Sequence, residues 1–118
     1  MAATSSREIT INVSGDSIIN KIYEAEENTA SPGSITIHAL ASGNNVITVP
    51  SSVGITVKGA TIIPPSGNTE DIILKGDNGD TGITISSTDP TSIAFEEAPS
   101  SFVLEASDAI EGLRIVWT

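Results

Sequence analysis

Apolar and polar positions alternate in short stretches along most of this chain. Between Glu8 and Val13, the residues Ile9, Ile11 and Val13 share one parity, the period-two pattern of a half-buried strand that Ser14-Gly15 stops. Ile35-Thr36-Ile37-His38-Ala39 repeats the pattern and predicts an apolar face of Ile35, Ile37 and Ala39, with His38 and Thr36 turned to solvent. A short strand is expected between Asn44 and Pro50, and another runs from Ile55 through Val57 to Ile62-Ile63, where Pro64-Pro65 ends it because neither ring nitrogen can donate to a ladder. Further strands are predicted over 71–75, 82–86, 92–95, 101–105 and 113–117. Turn clusters separate them at roughly the 8 to 12 residue spacing of sandwiches and barrels.

One segment breaks the period. Ile18, Ile19, Ile22 and Tyr23 make a single stripe at helical spacing, Asp16 or Ser17 can cap it, and Asn28 suits an exit, so a short amphipathic helix is predicted from Ser17 to Glu27. A strand alternating through Ile18, Asn20 and Ile22 is the rival reading of the same residues. The pattern as a whole predicts an all-β fold, a β-sandwich or jelly roll of nine or ten short strands, with this one helix near the N-terminus. A β-helix fragment with a capping helix is the second architecture. Residues 1–7 are expected to be a flexible arm and 8–118 a single domain.

Composition sharpens this picture. Of 118 residues, isoleucine supplies 18 and leucine four, so the core must be built from β-branched side chains that suit a pleated sheet. Cysteine is absent, which removes disulfides and thiolate metal sites as staples. The formal charge is −10, and the basic residues Arg7, Lys21, Lys58, Lys75 and Arg114 are scattered. Binding to nucleic acid or to an acidic membrane surface is therefore not expected, since both need clustered positive charge. Met-Ala-Ala-Thr-Ser-Ser-Arg holds no apolar signal core, so synthesis in the cytoplasm is expected.

Candidate chemistry is sparse. Gly76-Asp77-Asn78-Gly79-Asp80-Thr81-Gly82 invites a calcium reading, but Gly79 and Thr81 stand where a calcium loop would need further oxygen ligands. Tight turns with Asp and Asn side chains bonded to nearby amides are expected instead. His38 is the single histidine and no Gly-X-Ser-X-Gly turn is present, so no nucleophile–base pair is legible. Glu24, Glu26, Glu27 and Glu96-Glu97 read as solvated acidic surface. The chain is expected to be no enzyme and to carry neither cofactor nor metal. Trp117, in alternation with Leu113 and Ile115, is either a core anchor closing the last strand or an anchor at a subunit interface, where tryptophan is enriched.

A resemblance enters over the C-terminal part of the chain. Val46-Ile47-Thr48-Val49-Pro50, Ile62-Ile63-Pro64-Pro65-Ser66-Gly67-Asn68-Thr69, the run from Leu74 to Ile83, Ser101-Phe102-Val103-Leu104, and Gly112-Leu113-Arg114-Ile115-Val116-Trp117 resemble small β-structured proteins of tailed-bacteriophage structural modules. The resemblance implies a virion component, a head-decoration, tail or baseplate accessory protein that works without catalysis. It implies partners among other virion proteins and in further copies of the chain, a homo-oligomer such as a trimer. Contact residues are then expected in the N-terminal arm, with Arg7, in the loop Ile63, Pro64, Pro65 and Ser66, and at Trp117. The alternative function is a ligand-binding adhesion module, for carbohydrate or calcium-dependent.

Overall fold

In a computed structural model, ten strands follow one another along the chain: β1 (Glu8–Val13), β2 (Ile19–Glu24), β3 (Ile35–Leu40), β4 (Gly43–Thr48), β5 (Gly59–Ile63), β6 (Ile72–Lys75), β7 (Ile83–Ile85), β8 (Thr91–Ala94), β9 (Ser101–Ala106) and β10 (Ile110–Trp117). The structure describes residues 35–51 and 56–118 in full, and β1 and β2 as backbone. β1 and β2 pair antiparallel, with Glu8 opposite Glu24 and Val13 opposite Ile19, in a two-stranded sheet of their own. Within the segment predicted as a helix, the backbone of Ile19–Glu24 is strand β2. The ends of that predicted helix, 17–18 and 25–27, lie outside the described residues, as does the predicted arm.

The other eight strands form two four-stranded antiparallel sheets, ordered β3-β10-β5-β8 and β4-β9-β6-β7. Partners nest along the chain: β6 with β7 innermost, then β5 with β8, β4 with β9, and β3 with β10 outermost. The chain reads as one long hairpin wound so that successive pairs fall in alternate sheets. The step from β3 to β4 takes two residues and is held by Asn45, whose side chain accepts from the Ala41 amide at 2.9 Å and donates to the Ala41 and Leu104 carbonyls at 2.9 and 3.2 Å. Gly43, with φ +96°, makes the corner passable.

The inner faces of the two sheets meet in one apolar cluster. Its fully buried members include Ile62, Leu113, Ile115 and Trp117 from the first sheet and Ile72 and Leu104 from the second. The Trp117 and Phe102 rings meet at 6.0 Å between centroids, tilted by 54°, joining the sheets across the core. A register shift in β10 between Ile110 and Leu113, at Gly112 with φ +82°, inserts one extra residue. It lets both Ile110 and Leu113 face inward, opposite Leu40 and His38, although their spacing is odd.

Candidate interaction face

Cross-strand register decides what points outward from the first sheet. Thr36 lies opposite Ile115 and His38 opposite Leu113, and those two β10 residues are fully buried, so the Thr36–His38 side of β3 faces the core. Ile35 and Ile37 lie on the other side, opposite Val116 and Arg114, and are 60% and 69% exposed. This corrects the expectation of an inward isoleucine face and a solvent-facing His38. Alternation reads the same in either phase, and the pairing with β10 chose the phase that the apolar parity argued against.

Polar groups turned inward need partners, and these have them. The buried indole Nε1 of Trp117 donates to Thr36 Oγ1 at 2.9 Å, and Thr36 Oγ1 lies 2.7 Å from His38 Nε2. With the Thr36 oxygen already accepting from the indole, its own hydroxyl is placed to donate to a neutral imidazole. Burial holds the His38 pKa below its ordinary value of 6.5, in keeping with that neutral form.

The outward side of the same sheet is apolar. Ile37, Arg114 and Ile63 form one row across β3, β10 and β5, and Ile35, Val116 and Thr61 form the next. Ile63 and Val116 are half-buried and Arg114 is exposed. Covering an exposed isoleucine contributes up to about 2 kcal/mol, so a partner that seated both Ile35 and Ile37 would gain appreciably.

The residues predicted as contacts divide around this face. Ile63 belongs to it directly. Pro64 is buried, Pro65 is half-buried beside Gly112 of β10, and Ser66 is exposed in the turn closed by the bond from the Asn68 amide to the Pro65 carbonyl at 3.1 Å. Of these three, Pro65 is the one placed at the β10 bulge, at the border of the face. Trp117 is wholly buried, so its ring belongs to the core and offers nothing to a partner. Arg7 lies outside the described residues. Sequence reasoning missed Ile35 and Ile37 as surface groups. The signal that could have found them is that Leu40 shares parity with Thr36 and His38 and extends their side of the strand inward.

In the turn from Asp77 to Asp80, the Asp80 carboxylate accepts from the Asp77 amide at 2.8 Å, Asp77 Oδ1 accepts from the Asn78 amide at 2.7 Å, and the Asp80 amide closes onto the Asp77 carbonyl at 3.1 Å. Both carboxylates thus serve the turn's own amides, as turn residues do. Among the described residues no group of three or more His, Asp or Glu side chains is placed to hold a metal ion. Lys75 is buried and ion-paired with Glu105 at 3.0 Å, and it donates to Asn44 Oδ1 at 3.2 Å, which fixes β6 to β9 and β4.

Between the β7 and β8 edges the sheets part into a cleft of about 470 Å³, lined by Leu74, Ile83, Ile93, Phe95 and Phe102, with Asp80 at its border. Its lining is mostly apolar, with Lys75 and Asp80 as its charged members.

Against known proteins, the chain matches no protein-family model, no curated protein and no solved structure.

Proposed function

We propose that this chain is a non-catalytic structural protein of a tailed-bacteriophage virion, a head-decoration, tail or baseplate accessory component. On this reading it is made in the host cytoplasm, resides in the virion, and acts through contacts with copies of itself and with other virion proteins. The observation that carries the reading is the outward isoleucine pair: Ile35 and Ile37 stand 60% and 69% exposed on a sheet whose inward side has accepted a threonine and a histidine. A fold that turns polar groups in and isoleucines out suits a surface meant to be covered. The nested strand order is that of a jelly roll, two Greek keys in eight strands, an architecture that serves capsid subunits and lectins alike. Architecture alone does not choose between such roles. The phage-like motifs of the C-terminal part and the assembly face favour the first.

The test is whether the protein travels with particles. Antibody against the purified chain is applied to gradient-purified virions released by cells that encode it. Recovery in fixed proportion to the major head or tail subunit is expected, and confinement to the unsedimented fraction would overturn the reading.

The alternative, a ligand-binding adhesion module, has the apolar cleft between the β7 and β8 edges in its favour. Its calcium arm predicts a rise in Tm at millimolar calcium, as linkage requires of a ligand that binds the folded state. An unchanged Tm removes that arm.

A further inference from the structure

Among the described residues, each four-stranded sheet leaves two edge strands: β3 and β8 in the first, β4 and β7 in the second. Protein sheets guard such edges against pairing with another chain by shortness, charge, proline or a covering element. β7 has three residues and β8 four, too short to template a partner. β4 opens with Gly43-Asn44-Asn45, and both asparagine side chains are committed, Asn45 to the Ala41 corner and Asn44 to the Asn78 carbonyl and Lys75. β3, like β4, contains no proline, lysine or carboxylate, but none of its side chains anchors a neighbouring loop, and two isoleucines, Ile35 and Ile37, stand exposed on its outer side where β4 shows the single Val46.

Charge then limits what can lie against it. A chain of formal charge −10 repels its own copies unless the contact avoids carboxylates. Of the 15 acidic residues, the four strands of the first sheet carry one, Glu111. The sole charge in the two rows described above is Arg114, so among the described residues the place where two like-charged copies could meet holds no carboxylate.

The geometry points to a second copy of this chain as the occupant: two β3 edges pair antiparallel about a two-fold axis, joining the first sheets into one eight-stranded sheet with Ile35 and Ile37 of both copies on its outer face. Such an interface is isologous and closes at two subunits, a dimer. The inference is independent of the virion reading and stands or falls separately.

Light scattering after size exclusion, over a wide concentration series, tests it. The wild type is expected at twice the 12.1 kDa chain mass. Ile37→Lys is expected at the monomer mass, and Val46→Lys, equally exposed on the other sheet, is expected to remain dimeric. A wild type that is monomeric throughout, a trimer or larger ring, or a dimer that survives Ile37→Lys would each overturn the proposal. Should Ile37→Lys fail to fold, hydrogen exchange on the wild type decides: β3 amides are expected to gain protection as concentration rises while those of β4, β7 and β8 do not. Exchange at β3 that is independent of concentration overturns it equally.

Discussion

The oxygen of Thr36 joins the wholly buried ring of Trp117 to the one histidine of the chain. Trp117 donates to it and His38 Nε2 lies against it, so a half-buried imidazole is stabilised in its neutral form. The sign of the resulting pH dependence follows from linkage. In the unfolded chain the imidazole titrates near its ordinary 6.5, whereas in the fold its pKa is lower, so on acidification the unfolded state takes up the proton first. Stability is therefore expected to fall as pH drops through the unfolded value and to level off below the folded one. In His38→Gln this component disappears. Thermal melts of both proteins from neutral to mildly acidic pH should show the wild type losing more Tm than the variant, and parallel curves would contradict the assignment. None of this was legible in the sequence, where His38 stood in a strand whose two phases look alike and the Trp117 partner lay far along the chain.

At the scale of elements, turns are the most local feature and were the most readable. The glycines and carboxylates from Gly76 to Gly82 read as tight turns, and the bonds within Asp77–Asp80 are of that kind. Gly82 has a second, non-local constraint. Its φ is +76°, and a Cβ there would stand 2.6 Å from the Leu74 carbonyl oxygen and 2.7 Å from Ile73 Cγ2. Gly82→Ala is expected to cost more than about 1 kcal/mol, because the new methyl meets a strand backbone in a conformation that L residues avoid. Gly79→Ala, which meets nothing within 4 Å, should stay within about 0.5 kcal/mol. Urea midpoints of the two variants check the contrast, and equal shifts would remove the steric argument. Strands were legible for the same local reason: Ile72–Lys75, Ser101–Ala106 and Ile110–Trp117 lie where the apolar pattern placed them, give or take a residue or a few at the ends. The β10 bulge was not, since an extra residue shows only against the strand it pairs with.

Across the whole molecule, nested pairing makes nearly every sheet contact non-local, with Leu40 meeting Ile110 near opposite ends of the described sandwich. Chains of this kind must close long loops before any strand pair rewards them, and they fold in about milliseconds to seconds. Stopped-flow fluorescence of Trp117, the one tryptophan, should report refolding on that scale, and completion within microseconds would contradict the topology. The sequence by itself determined the all-β class, the positions of most strands, the inward alternation of Leu113, Ile115 and Trp117, and a formal charge of −10. These follow from period, propensity and charge, which are written residue by residue. Tertiary structure decided the two sheets and their order, the phase of β3 and hence which isoleucines face solvent, and the burial of Trp117 beneath Thr36. A two-residue period has two phases of equal local merit, and only the register against β10, set by packing across the sandwich, separates a core face from a solvent-exposed one.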